Sequence, residues 1–187
     1  MLWGGSQGGL EIRTTAGGET RLTGRFPYRS PTELRQGRRE VFESRAFGSR
    51  VSSGEDVHLL VGHDYEKPLA SRSAGSLTLS DDDEALSFEA RISPEMRAVG
   101  FVRDFLGTLA AGLVGGISPG FVVPQGGDEV RHEGGGVLRT VRQANLFEIS
   151  VVTKPAYPQA QVEARNWTPE PDSRRPPRLH GRNRWRL

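Results

Sequence analysis

Four histidines and no cysteine restrict the side chains of this 187-residue chain that can move protons or attack a carbonyl. His63 stands out by its setting. An apolar run, Val57 to Val61, and then Gly62 lead into it, and Asp64 and Lys67-Pro68 follow. A strand end that presents an imidazole to a cleft suits a general base. Further on, Gly115-Gly116-Ile117-Ser118-Pro119-Gly120-Phe121 holds a hydroxyl in a frame of glycines and one proline. Such a frame exposes Ser118 and can aim backbone N–H groups at an oxyanion. A third segment, Phe147 to Thr153, carries Glu148 between apolar neighbours, a costly place for a carboxylate unless it reaches water or a partner. Strand alternation sets Glu148, Ser150 and Val152 on one face and Phe147, Ile149 and Val151 on the other. Glu148 is then either a residue on the wet side of a half-exposed sheet or an acid that holds a histidine tautomer.

A base, a hydroxyl and an acid suffice for acyl transfer through a serine nucleophile. Two other chemistries fit less well. Gly116-Ile117-Ser118-Pro119-Gly120 has the Gly-x-Ser-x-Gly spacing, but proline follows the serine where a nucleophile elbow must start a helix. His58, His63 and Asp64 offer metal-ligating side chains, but their spacing on a strand end matches no zinc pattern. The acidic run Asp81-Asp82-Asp83-Glu84 lacks the ligand spacing of a calcium loop and reads as a solvated turn. No cofactor or metal is expected.

The elements that must carry these residues read mostly as short strands. Leu10 to Arg13 and Glu19 to Arg25 form a hairpin about Gly17-Gly18, and Ser76 to Leu79 pairs with Ala85 to Ile92 across the acidic turn. Arg39 to Phe42, Val57 to Val61, Ile117 to Val123, Glu129 to His132, Val137 to Val141 and Phe147 to Thr153 are further strands, and Glu43 to Arg50 a helical turn. One central helix is expected from the cap Ser93-Pro94-Glu95, with Met96, Val99, Val102, Leu106, Leu109 and Leu113 on one face. The expected architecture is an antiparallel β-barrel, closed or nearly closed, around that helix. With 24 glycines and 12 prolines, composition favours strands and turns over a helical bundle.

Residues 10–165 read as one domain, residues 1–9 as a floppy lead, and 166–187 as a disordered Pro/Arg-rich tail. Arg174, Arg175, Arg178, Arg182, Arg184 and Arg186 face only Glu170 and Asp172 there, so the tail carries +4 and residues 1–165 carry −2 of the net +2. Contact with nucleic acid is expected only through that tail. Met1 to Gly9 has no apolar run of a signal peptide, and no stretch is long enough to span a bilayer, so no membrane partner is expected.

Five short motifs, in order, resemble the prohead (capsid maturation) serine proteases of tailed bacteriophages over roughly Leu10 to Arg165. Leu22-Thr23-Gly24-Arg25-Phe26 is similar to the family's strand into a Gly-aromatic position. Ala46-Phe47 resembles its Gly-Ala-Phe, with Arg45 in place of the glycine. Gly62-His63-Asp64 resembles Asn-His-Asp, with glycine in place of the asparagine. Ser118-Pro119-Gly120-Phe121 is similar to Ser-x-Gly-Phe, and Glu148-Ile149-Ser150-Val151-Val152 to Glu-Val-Ser-x-Val, followed by Pro155-Ala156-Tyr157 for Pro-Ala-x.

The resemblance implies an endopeptidase with Ser118 as nucleophile, His63 as general base and Glu148 as third member. His132 stays open as an alternative, by analogy with the related assembly proteases of herpesviruses, and so does Asp64. Arg139 or Arg142 is expected to assist backbone donors at the oxyanion. The implied partners are the major capsid protein with its scaffolding segment and the chain itself, through autoproteolysis and formation of a homodimer. The implied location is the host cytoplasm, inside the assembling prohead. A catalytically inactive scaffold- or capsid-binding module of the same fold is the competing expectation.

Overall fold

The computed structural model describes residues 3–5, 8–15 and 18–153. The Pro155-Ala156-Tyr157 motif and the basic tail lie outside the described residues. The chain runs β1 (Trp3–Gly5), β2 (Gly8–Thr14), β3 (Thr20–Pro27), β4 (Thr32–Arg35) and β5 (Arg38–Phe42), then the short helix α1 (Gly48–Ser53). Four strands follow: β6 (His58–Val61), β7 (Asp64–Ser71), β8 (Leu77–Asp81) and β9 (Ala85–Ile92). After α2 (Pro94–Ala98) and α3 (Gly100–Ala110) come β10 (Gly116–Val122), β11 (Asp128–Glu133), β12 (Gly136–Val141) and β13 (Asn145–Val152).

Period-2 patterning explains β3. In β3, Thr20, Leu22 and Phe26 are buried while Arg21 and Arg25 face water. The acidic turn between β8 and β9 is closed locally: Asp82 Oδ1 accepts from the backbone N–H groups of Glu84 and Ala85, each at 2.8 Å.

The strands assemble into three sheets, in the orders β1-β2-β3-β9-β8, β10-β13-β6-β7 and β11-β12-β5-β4. The mostly-β expectation therefore holds, but no sheet closes into a barrel. Among the described residues the ladders end at edge strands, and the sheets meet through side chains around a shared apolar core. Leu22, Phe88 and Ile92 of the first sheet, Leu59, Ile117 and Ile149 of the second, and Phe42 and Val141 of the third all belong to it. Neither are the sheets wholly antiparallel, because β13 pairs with β6, and β12 with β5, in parallel. Alternation along a single strand reports which face is buried and says nothing of which neighbour it hydrogen-bonds.

The expected central helix is broken. Ser93 Oγ accepts from the N–H of Met96 at 3.3 Å and caps α2 as its sequence predicts. Val99 then takes an extended conformation (ψ 133°) and α3 restarts at Gly100. A β-branched residue followed by glycine is a weak pair of helix formers, so the break falls there. The restart rotates the apolar face: Val102 and Phe105 are buried, whereas Val99 and Leu113 are exposed.

Candidate active site

His63 owes its position to a tight turn. β6 and β7 are antiparallel, Val61 pairs with Asp64, and only Gly62 and His63 lie between them. Both have φ of +64°, the signature of a type I′ hairpin. Glycine adopts that conformation freely, and histidine is among the few side-chain-bearing residues enriched in it. Arg45, which also stands where the resemblance expects another residue, likewise has positive φ (+58°). Both departures from the motif thus fall on left-handed backbone.

Ser118 and Glu148 come from adjacent strands. β10 and β13 are antiparallel, with Ser118 opposite Ser150 and Gly120 opposite Glu148. Directly opposed residues share a face, so Ser118, Glu148 and Ser150 lie together on the side away from Ile117, Ile149 and Val151 of the core. The Glu148 side chain lies over Gly120, where an added Cβ would sit 2.1 Å from Glu148 Oε1. Glycine at 120 is a requirement of that crossing.

The site is largely buried. Ser118 and Ser150 are inaccessible, Glu148 is 4% exposed, and the His63 side chain is 24% exposed. His63 Nδ1 is 2.8 Å from Glu148 Oε1. Ser150 Oγ donates to Glu148 Oε2 at 2.6 Å and accepts from the backbone N–H of His63 at 2.9 Å. Because a carboxylate only accepts, Nδ1 carries the proton toward Glu148, which leaves Nε2 with its lone pair free in the neutral ring. Among the described residues, four buried side-chain polar atoms lack a hydrogen-bond partner, and His63 Nε2 and Ser118 Oγ are two of them. An unpartnered buried hydroxyl costs about 1–3 kcal/mol. A hydroxyl that can donate and a nitrogen that can accept are both left unused in one site. Tyr65, two residues after His63, is exposed; partial burial and then the Glu148 charge push its hydroxyl pKa up.

The remaining candidates go elsewhere. His132 is exposed on β11, in the third sheet. Asp64 pairs with Lys67 at 2.9 Å, and that cation beside it, with the N–H of Glu66, holds its carboxyl below the ordinary value. His58 Nε2 lies 3.7 Å from Asp56. His58, His63 and Asp64 thus engage three different partners, and among the described residues no group of three side chains is disposed to hold a metal ion. The expected oxyanion arginines are also committed. Arg139 is buried on β12 against Glu40 (3.1 Å) and Asp128 (2.6 Å), and Arg142 pairs with Glu43 and Glu129. Charged groups of the third sheet, not a reacting carbonyl, account for both. Ser150 was legible in the sequence only as a residue sharing the face of Glu148; its double hydrogen bond depends on where the β6–β7 turn lands.

A family model described as caudovirus prohead serine protease matches residues 11–172 of the chain. No curated protein matches, and no solved structure does.

Proposed function

The chain belongs to the caudovirus prohead serine protease family, and from that premise we propose that it is a capsid-maturation endopeptidase working through Ser118, His63 and Glu148. The observation that carries this reading is the 2.8 Å contact of His63 Nδ1 with Glu148, which leaves Nε2 as the free base, while Ser118, on the sheet face that carries Glu148, keeps an unpartnered hydroxyl. In the proposed cycle, His63 Nε2 takes the Ser118 proton while Oγ attacks the scissile carbonyl. The imidazolium, steadied by Glu148, then protonates the departing amine and leaves an acyl-enzyme. His63 next takes a proton from water, the hydroxide attacks the ester, and the proton returns to Ser118. Backbone N–H groups serve as oxyanion donors.

The proposed substrates are the scaffolding segment of the major capsid protein and the chain itself, cut inside the assembling prohead. Ser118 is inaccessible, so a peptide reaches it only after local opening. That requirement accords with an enzyme that works on tethered, crowded substrate and acts in concert with self-association.

Co-expression with the cognate major capsid protein, wild type beside Ser118→Ala, tests the reading by intact mass. Shortened capsid protein with wild type alone is the expected result. Identical masses in both, in shells shown to have assembled, would replace the reading with that of a non-catalytic capsid-binding module.

A further inference from the structure

We propose that Ser150 is a positioning residue that fixes the imidazole and the carboxylate to one another, a role that rests on the reaction proposed above. Ser150 is fully buried, and its oxygen is used twice. The hydroxyl proton goes to Glu148 Oε2 and a lone pair receives the backbone N–H of His63.

The two bonds fix different things. The terminal torsion of a glutamate is broad, so a carboxylate held at one oxygen can rotate. With Oε2 held by Ser150, Oε1 is aimed at His63 Nδ1. The second bond holds the base itself. The β6–β13 ladder continues as far as the N–H of Gly62, which donates to the Val151 carbonyl at 3.1 Å. The next N–H, that of His63, sits on a left-handed turn, and the Ser150 hydroxyl supplies its acceptor. One oxygen thereby sets the plane of the acid and the backbone of the base. Ser118 is the cross-strand neighbour of the same residue, which ties the placement of all three groups to position 150.

A serine kept only to fill the sheet would need neither bond. The test uses the full chain with its cognate capsid protein as substrate, in Ser150→Ala, Ser150→Thr, Glu148→Gln and the Ser150→Ala/Glu148→Gln pair. Loss of this geometry is expected to lower kcat about 10- to 100-fold, with KM held within about twofold. Ser150→Thr, which keeps the hydroxyl, should recover most of the rate. The double variant should be no slower than Glu148→Gln alone, because Ser150 acts through that carboxylate. Proton NMR provides a readout independent of turnover: the downfield Nδ1 proton of His63 should be present in wild type and broadened away in Ser150→Ala. If Ser150→Ala fails to fold, Ser150→Cys, which keeps the volume with a weaker donor, stands in for it and should be slow in the same way. An unchanged Nδ1 signal with wild-type kcat would overturn the role, as would a loss that adds in full to that of Glu148→Gln. Activity surviving in Ser118→Ala would instead sink the underlying reaction, and the NMR result would still judge Ser150.

Discussion

Two four-stranded sheets of this protein share one plan, a central parallel pair flanked by antiparallel strands, and each buries a glutamate there. In the third sheet, Glu40 on β5 stands in register with Arg139 on β12, and the guanidinium also reaches Asp128. Charge is met by charge, with both Glu40 and Arg139 at 3% exposure. In the second sheet, Glu148 meets a serine hydroxyl and a histidine whose far nitrogen has no partner. The first arrangement is closed upon itself. The second leaves one acceptor, His63 Nε2, and one donor, the Ser118 hydroxyl, unused. Burial of a carboxylate alone therefore does not tell the two arrangements apart; what does is whether the network around it is complete.

The sharpest break of that comparison is Ser118→Ala. Peptide cleavage should fall by more than about 10⁴-fold, while thermal stability holds or rises slightly, since the hydroxyl removed is buried and unpartnered. A marked drop in melting temperature would mean that Ser118 supports the fold as Arg139 does. Arg139→Met should behave in the opposite way. It leaves Glu40 buried without its cation and should cost about 3–5 kcal/mol in denaturant unfolding, with per-molecule cleavage by the folded fraction unchanged. Loss of activity beyond the loss of folded protein would return the arginine to the site.

Gly120→Ala sits between these two. Its Cβ would meet Glu148 Oε1, so both stability and cleavage should decline, stability by about 1–3 kcal/mol. Calorimetry beside a kinetic assay checks this, and a fully active variant would show that Glu148 need not cross Gly120.

A third acid refines the contrast. The half-buried Asp81 accepts from the Tyr28 hydroxyl, and its second oxygen has no partner. Burial, ahead of the Tyr28 bond that works against it, pushes its carboxyl above the ordinary value. A carboxyl with a raised folded pKa contributes stability below its unfolded value of about 3.9, and that contribution is lost as pH rises through the folded value. Asp81→Asn should therefore gain stability relative to wild type as pH rises from about 4 to 7. Urea melts across that range give the measurement, and a difference independent of pH would refute the assignment.

Several of these features were readable before any fold was known. The strand character of β3 and β9 follows from period-2 burial, and the cap at Ser93 from its neighbours, because both are local. The family motifs likewise marked His63, Ser118 and Glu148. The break at Val99 was also local, yet the longer apolar stripe through Leu113 masked it. The burial of Arg139 against Glu40 is not legible locally, because Glu40 lies ninety-nine positions away.

The sequence by itself determined a β-rich protein with a histidine at a strand end, a serine in a glycine frame and an acid on a later strand. Tertiary structure alone decided that three open sheets form and that β13 runs parallel to β6. It also decided that Glu148, not His132 or Asp64, meets His63. The physical reason is that hydrogen-bonded neighbours in a sheet are chosen by packing across the whole core. A strand's own residues state which side faces inward, but not which strand lies beside it.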